Sequence, residues 1–178
     1  KLKLQYNSPV ILTFTLAATL IMALDSAFSG LVSGFFTFRP GISLTNPVDL
    51  FRMFSYVLGH ANWEHLFGNF SIILLIGPIL EEKYGSGDLL LMIVVTALLS
   101  SIASVLLFNA AGLGASGVVF MLIMLSSFTN FRSGSVPLTF VLVAALYLGR
   151  EIIGSFQADN VSQFGHIVGG VVGGLFGF

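Results

Sequence analysis

The chain of 178 residues lacks cysteine and has few charged residues. Without cysteine it can form no disulfide bond, cysteine-ligated zinc site, iron–sulfur cluster or thiolate nucleophile. Seven Lys and Arg residues oppose eight Asp and Glu residues, and the net charge of −1 leaves no basic surface for nucleic acid. We therefore predict no nucleic-acid partner. Charged residues make up only 8% of the chain, far below the roughly 25% of soluble proteins.

Apolar residues dominate instead, at 56% of the chain with a mean hydropathy of +0.98. A membrane-spanning helix needs about 20 predominantly apolar residues. Six stretches approach that length, at about 10–28, 62–80, 89–108, 116–131, 136–149 and 164–178. We predict an all-α membrane protein in which residues 1–178 form one six-helix domain. The lack of an initiator Met and the end at Phe178 inside an apolar run predict a trimmed chain with flanking domains missing.

The first two spans are joined by a long connection, residues 30–61, which is rich in phenylalanine. We expect it to lie at the membrane interface. Within it, Asn46 is a good N-cap, Pro47 suits the first helical position and Asp49 places an acid in the first turn. A short helix is therefore predicted to begin at Pro47. Asp25, at the end of the first span, is predicted to be a solvated helix end.

Spans two, four and six begin on one side of the membrane, and each begins with polar residues. Four of the seven Lys and Arg fall on the other side of the membrane, together with the N-terminus, which favours a cytoplasmic N-terminus. Span two opens with His65 and Asn69, four apart and on one helical face. Span four opens with glycines and Ser116, and span six with His166. Because polar groups at membrane depth cost free energy, we interpret this convergence as a functional site.

The glycine-rich segment 112–117 and the glycines after His166 indicate how the site is built. Irregular backbone at membrane depth is tolerated only inside protein or beside a wet cavity, and the N–H groups of a first helical turn favour negative charge. A stripe of glycines on the face of His166 lets a neighbouring helix approach closely, and the helix of Ser116 is the natural neighbour. Close approach would bring imidazole and hydroxyl together. We predict a serine–histidine dyad in a hydrated pocket.

Four motifs in this order resemble those of the rhomboid intramembrane serine proteases. They are Gly114-Ala115-Ser116-Gly117 for GxSG, His60-(x4)-His65-(x3)-Asn69 in the second span, Gly77-(x3)-Glu81-(x3)-Gly85 for GxxxExxxG, and His166-(x2)-Gly169 in the sixth. The resemblance covers about residues 55–178 and implies a six-helix rhomboid-like bundle with a long interfacial first loop.

The resemblance also implies a role for each matching residue. It makes Ser116 the nucleophile, His166 its base, and Asn69 with His65 the side-chain donors to the oxyanion. Glu81 would be a structural acid that ties its helix to neighbouring helices. The implied activity is cleavage of single-span transmembrane proteins within the lipid bilayer, without a cofactor, by a multi-pass protein of the bacterial inner membrane. A gate is expected in span 136–149 and the loop 150–163, with Phe156 as a cap.

The sequence departs from the family pattern at three positions, none of which removes a catalytic group. Phe51-Arg52 stands where Trp-Arg is frequent, Gly165-His166 where Ala-His is frequent, and Phe120 where a tyrosine often packs against the catalytic histidine. Phe120 can stack but offers no hydroxyl. Activity is therefore still expected.

Each candidate residue has a plainer interpretation beside the functional one. Ser116 alone could be a small residue at a helix contact, His166 alone an interhelical hydrogen bond, and Asn69 a polar packing contact. His60 is interpreted as a structural or loop histidine. Two other kinds of protein could share this composition: a rhomboid-like pseudoprotease that binds or escorts transmembrane clients, and a transporter or channel, which would carry more intramembrane ionisable groups.

Three further motif matches fail on their context. Segment 112–117 fits GxGxxG but follows a long apolar run and has no acid about 20 positions onward, as a dinucleotide fold requires. Val118 breaks the GxSxG pattern of hydrolases. His60 and His65 lie outside any HExxH motif, and a spacing of five on a helix sets them about 140° apart. We predict no metal site.

Overall fold

The computed structural model describes residues 3–128, 138, 141, 142, 145, 146 and 164–177, with the backbone alone at 128 and 164–166. The described chain is helical, and its one strand-like pairing is an isolated antiparallel bridge between Phe38 and Gly112. The predicted all-α class is confirmed. The helices are α1 Pro9–Ala27, α2 Leu31–Phe36, α3 Pro47–Ser55, α4 Trp63–Tyr84, α5 Ser86–Phe108, α6 Ser116–Phe128 and α7 Phe164–Gly177, and a 3-10 turn, Tyr56–Leu58, follows α3.

Many large apolar side chains are exposed on the outside of the described helices, and several polar side chains are buried. Helices α1, α4 and α5 are each long and apolar enough to cross a membrane, and the apolar stretches of α6 and α7 are shorter. Their outward positions are leucine-rich, whereas α5 turns a polar face inward. The exposed set includes Leu16, Leu20, Leu75, Leu90 and Leu91, and the buried polar set includes Thr96, Ser100, Ser101 and Ser104. Such surfaces suit a lipid environment, and the chain is an integral membrane protein.

Five of the six predicted spans coincide with α1, α4, α5, α6 and α7. The predicted fifth span, 136–149, lies largely outside the described residues, as do the predicted gate loop and Phe156. At the five positions of that span that are described, the backbone is helical and the residues are exposed. The total of six spans therefore stays a prediction.

Helix α6 occupies the centre of the described bundle. Its residues from Val118 to Leu122 are almost completely buried, and it packs against α4, α5 and α7. A helix that is apolar on all sides is expected to be enclosed by other helices. Gly114, Ala115 and Gly117 at its N-terminus are also buried, whereas the candidate serine, Ser116, is partly exposed.

The predicted short helix in the first loop is confirmed as α3. The Asn46 side chain accepts a hydrogen bond from the Val48 N–H at 3.0 Å, Pro47 is the first helical residue and Asp49 lies in the first turn. These are local signals, so they could be identified without knowledge of the tertiary fold.

The prediction for Asp25 was wrong. Its side chain is buried, and its Oδ1 accepts a hydrogen bond from the Ser33 N–H at 2.6 Å. The chain reverses at Gly30, whose φ is +85°, and brings the first turn of α2 back to the end of α1. Helix α2 was not predicted, and its free N–H groups replace the water that Asp25 was expected to contact.

The structural role predicted for Glu81 is confirmed. Its carboxylate is buried, accepting hydrogen bonds from the N–H groups of Val10 and Ile11 at 2.9 and 3.0 Å and from the Ser86 hydroxyl at 2.7 Å. Val10 and Ile11 lie in the first turn of α1, where N–H groups have no intrahelical acceptor. Glu81 thus joins α4 to α1, and the side chain of Ile11 lies directly against Gly77.

Candidate active site

The connection between α5 and α6 is fixed by backbone hydrogen bonds to the first loop. Phe38 and Gly112 exchange N–H to O hydrogen bonds of 3.3 and 3.2 Å, and the Gly114 N–H donates to the Tyr56 carbonyl at 3.0 Å. The Phe38 ring occupies the space where a Cβ at Gly112 would lie. The glycine is thus required by close approach. Non-helical backbone leading into α6 is thereby held in one conformation.

Ser116 is the first residue of α6. The Ala115 carbonyl accepts from the Val119 N–H at 2.9 Å, which makes Ala115 the N-cap. Ala115 is fully buried, whereas Ser116 is partly exposed. The N–H groups of the first turn have no intrahelical acceptors and carry the positive end of the helix dipole. The serine therefore lies at the position of a helix best suited to stabilising negative charge.

His65 and Asn69 of α4 face this segment. The helix begins with Asn62 as its cap, whose side chain accepts from the His65 N–H at 2.8 Å. The His65 ring lies so close to Gly114 that a Cβ there would come within 2.5 Å of His65 Cε1. Gly114 has a φ of +112°, which side chains rarely adopt. The structure thus brings His65 against the backbone two residues before Ser116.

His60 links Asn69 to the residue before Ser116. The Asn69 Nδ2 donates to His60 Nε2 at 3.0 Å, and the Ala115 N–H donates to the same nitrogen at 3.4 Å. On the other side of the ring, Nδ1 lies 3.4 Å from the Leu58 carbonyl oxygen. His60 is only 1% exposed. Its two ring nitrogens are both used in these contacts, so neither is available to ligate a metal.

The helical angle of about 140° expected between His60 and His65 was wrong. Their rings contact edge to face with centroids 5.0 Å apart. The expected angle assumed a continuous helix, but α4 begins only at Trp63, and His60 lies in the loop before it. The loop folds back onto the face of α4 that carries His65 and Asn69.

The electrostatic environment keeps His60 neutral. Burial, with a smaller effect from the neighbouring His65, lowers the pKa of His60 to about 3, and the hydrogen bond to the Leu58 carbonyl opposes this only in part. A cationic ring would also place an N–H opposite the Ala115 N–H. At neutral pH His60 Nε2 therefore accepts hydrogen bonds, while Nδ1 donates to the Leu58 carbonyl.

The glycine stripe of α7 packs directly against α6, as predicted. A Cβ at Gly169 would overlap the Gly117 carbonyl, one at Gly170 would overlap the Phe120 ring, and one at Gly173 would come within 2.6 Å of the Met121 carbonyl oxygen. Glycine thus allows backbone-to-backbone contact between the two helices. The side chain of His166 lies outside the described residues, although its backbone belongs to the first turn of α7.

A model of the Rhomboid domain family matches residues 47–178. The chain belongs to the rhomboid family. It is 28% identical over 140 residues to the Rhomboid protease GluP of Bacillus subtilis (strain 168), a match that covers 75% of this chain and 26% of that protein. It is also 28% identical over 130 residues to the chloroplastic Rhomboid-like protein 11 of Arabidopsis thaliana, covering 64% of this chain and 46% of the relative.

A second Arabidopsis thaliana protein, RHOMBOID-like protein 1, is 29% identical over 139 residues, which covers 73% of this chain and 34% of the relative. The rhomboid described here therefore spans less than half the length of each of these relatives.

One residue of this rhomboid site, His60, has contacts that the sequence did not indicate, although it lies in a loop as interpreted. His60 was interpreted as a structural or loop histidine, yet it contacts both a predicted oxyanion donor and the residue before the predicted nucleophile. Its spacing from His65 and Asn69 was the available signal. The bonds themselves depend on how the loop folds back, which no local pattern encodes.

Proposed function

We propose that this rhomboid is an intramembrane serine endopeptidase, with Ser116 as nucleophile and His166 as its general base. The observation that carries the proposal is the position of Ser116. It begins a buried helix, beside His65 and close to the His60–Asn69 pair, and the next residue packs against the glycine face of α7. A nucleophile, oxyanion donors and a base are the groups that acyl transfer requires.

The register of α6 and α7 supports the dyad. Gly117 contacts Gly169 and Met121 contacts Gly173, so a step of four residues on one helix matches a step of four on the other. The helices are parallel at this contact. Ser116 precedes its contact residue by one position and His166 by three, an axial difference of about 3 Å. His166 also shares the helical face of Gly169, Gly170 and Gly173, which is the face turned toward α6.

The proposed reaction follows the usual course of serine acyl transfer. Ser116 Oγ attacks the peptide carbonyl carbon while neutral His166 accepts the hydroxyl proton. The oxyanion accepts hydrogen bonds from the Ser116 N–H, Asn69 and His65. His166 then donates the proton to the leaving amine, and water, activated by the same imidazole, hydrolyses the acyl-enzyme. The products are two peptides, and both protein groups return to their starting state.

We propose single-span transmembrane proteins as substrates. The apolar outer surface keeps the enzyme in the bilayer, and the site lies beside the central helix, so a substrate reaches it from the membrane. A helical substrate exposes no unpaired carbonyl until it unwinds, which favours segments with small or helix-weakening residues. The bacterial inner membrane is the proposed location, supported by the Bacillus relative; the chloroplastic Arabidopsis relative makes a plastid membrane the other location to test.

Covalent labelling of the proposed nucleophile is the most direct test. The purified protein is treated with a fluorophosphonate, which we expect to label the wild type but neither Ser116→Ala nor a heat-denatured sample. Ser127→Ala is the matched control, because Ser127 lies in the same helix and donates to the Ile123 carbonyl within it. Labelling should persist in that variant. Undiminished labelling of Ser116→Ala would refute the assignment.

Cleavage and labelling together separate the protease from a catalytically inactive rhomboid-like protein. A protease cuts a single-span substrate in vesicles, and both Ser116→Ala and His166→Asn abolish the cut. A protein that only binds or escorts transmembrane clients would retain the substrate on affinity capture, with no cleavage and no labelling in the wild type. That pattern would replace the proposed function with the client-binding one.

A further inference from the structure

We propose that His60 is a positioning residue that sets the orientation of the Asn69 side-chain amide, so that its NH₂ group, and not its carbonyl, lies on the side of the Ala115–Ser116 backbone. This inference deepens the proposed function and rests on it, because the amide matters only if it serves the oxyanion. Nothing in the spacing of the motif specifies the orientation. It follows from the hydrogen bonds around one imidazole ring.

Two backbone groups fix the tautomer of His60 independently. The Leu58 carbonyl, 3.4 Å from Nδ1, can only accept, so Nδ1 must carry the hydrogen. The Ala115 N–H, 3.4 Å from Nε2, can only donate, so Nε2 must present its lone pair. Both contacts require the same tautomer of a neutral ring. His60 is buried, so water cannot substitute for either partner.

The tautomer in turn determines which end of the Asn69 amide faces His60. An asparagine side chain can present either an NH₂ group or a carbonyl oxygen, and its orientation follows from its partners. Because Nε2 is an acceptor, only the NH₂ group can bond to it, and Asn69 Nδ2 lies 3.0 Å away. The reverse orientation would set the carbonyl oxygen against a lone pair in a buried site.

For the proposed reaction, the consequence is that His60 holds the Asn69 NH₂ group in one position as a hydrogen-bond donor. The amide nitrogen of Asn69 carries a second hydrogen that the bond to His60 does not use. Since His60 Nε2 also accepts from the Ala115 N–H, the Asn69 amide nitrogen and the Gly114–Ala115 peptide share one acceptor just before Ser116. The shared acceptor thus keeps a side-chain donor and the start of α6 in fixed relation. A preorganised donor stabilises the oxyanion without reorganising during the reaction.

The test compares four single variants and the double variant His60→Phe/Asn69→Ala in vesicles with a single-span substrate. His60→Phe retains a ring but has no acceptor, His60→Gln restores an acceptor near the position of Nε2, and Asn69→Ala removes the donor. Trp63→Phe is the control, because it removes a hydrogen bond to Ser26 at the same end of α4 but on an exposed residue. We expect His60→Phe to lower kcat about 10- to 100-fold with little change in KM, since removing an oxyanion donor outright costs about 100- to 1,000-fold.

The decisive readout is the double variant. If His60 acts through Asn69, His60→Phe adds little to the loss already caused by Asn69→Ala, and His60→Gln recovers part of the activity. Losses that multiply, or a His60→Gln variant no better than His60→Phe, would overturn the inference. Trp63→Phe should cleave at the wild-type rate.

Nitrogen-15 spectroscopy of histidine-labelled wild-type protein provides a readout that does not depend on folding of the variants or on proteolysis. The His60 ring should show a protonated Nδ1 and an unprotonated Nε2 at neutral pH. A proton on Nε2 would refute the inference even in an active protease. Failure of wild-type cleavage and labelling, with the expected tautomer present, would instead refute the proposed function and leave the amide orientation intact.

Discussion

Glu81 Oε2 accepts a hydrogen bond from the Ile11 N–H at 3.0 Å, although 70 positions separate the two residues. Through this bond and the one from the Val10 N–H, a side chain of α4 accepts from two N–H groups in the first turn of α1. Glu81→Ala should therefore lower the free energy of unfolding by about 3 kcal/mol, because hydrogen bonds to a charged group contribute about 1.5–3 kcal/mol and buried N–H groups would lose their acceptor. Unfolding by SDS titration measures the change.

The neighbouring acid supplies the control for that measurement. Glu82 is exposed on the same turn of α4, so Glu82→Ala should change the stability by no more than about 0.5 kcal/mol. Glu81→Gln, which keeps one acceptor oxygen, should fall between the two. Equal effects of Glu81→Ala and Glu82→Ala would remove Glu81 from the helix contact.

Gly169→Ala should separate α7 from α6. The added methyl group would overlap the Gly117 carbonyl, and a backbone atom in a central helix cannot move aside easily. Overpacking of this kind costs about 1–3 kcal/mol of stability. Because the proposed dyad would also be pulled apart, the cleavage rate should fall by more than the loss of folded protein explains. Gly68→Ala is the control, since Gly68 lies in α4 with open space around it. That variant should be neutral or stabilised by up to about 1 kcal/mol.

Gly114→Ala should abolish most of the cleavage activity. It combines two effects: backbone strain at a φ of +112° and a methyl group 2.5 Å from His65 Cε1. Gly41→Ala separates them, because Gly41 also has a positive φ, +84°, but nothing within 4 Å. Gly41→Ala should lose about 1–2 kcal/mol of stability while cleaving at nearly the wild-type rate. If Gly41→Ala reduces the rate as much, strain and not the His65 contact explains the loss.

Asn69→Ala should impair cleavage without abolishing it. An oxyanion donor contributes about 100- to 1,000-fold in kcat, and the Ser116 N–H would remain. The KM should stay close to the wild-type value, because the bond forms mainly in the transition state. Steady-state kinetics on one single-span substrate measure both constants. Unchanged rates would remove Asn69 from the mechanism.

His60 should make stability depend on pH in a defined window. Its pKa is about 3 in the folded protein against 6.5 for an ordinary histidine, so between these values the unfolded chain binds the proton and the folded protein does not. The stability that the neutral ring contributes is present above about pH 6.5 and is lost as the pH falls toward 3. Unfolding at pH 7, 5 and 4 should show the decline.

His60→Gln is the comparison for the pH series. It lacks the titrating group, so its stability should fall less steeply over the same range, by the equivalent of about one proton per molecule. His65, whose ring contacts His60, is retained in both proteins. Parallel pH profiles would contradict the assignment of a depressed pKa to His60.

The features that could be predicted from sequence are those with a local or periodic physical cause. Asn46 and Pro47 mark the start of α3 through capping alone. The glycines of α7 follow one helical face, and the structure confirms for Gly169, Gly170 and Gly173 that this face contacts α6. The apolar stretches gave α1, α4 and α5 to within a few residues because membrane thickness sets helix length. The Ser116–His166 dyad, which depends on a side chain outside the described residues, stays a prediction.

The features that escaped prediction depend on contacts between distant segments. Asp25 was expected in water because nothing nearby in the sequence announces α2, whose first turn takes the place of solvent. The position of His60 follows from a loop that folds back before α4 begins at Trp63, so helical spacing gave the wrong angle. The pairing of Phe38 with Gly112 joins residues 74 positions apart. An isolated pair of hydrogen bonds has no periodicity to detect.

The bridge between Phe38 and Gly112 also has a mechanical consequence. The loop that leads into α3 and the segment that leads into α6 are joined by two backbone hydrogen bonds, so each restrains the position of the other. A displacement of the loop that leads into α3 is therefore transmitted to the segment that precedes Ser116, although the two lie far apart in the chain.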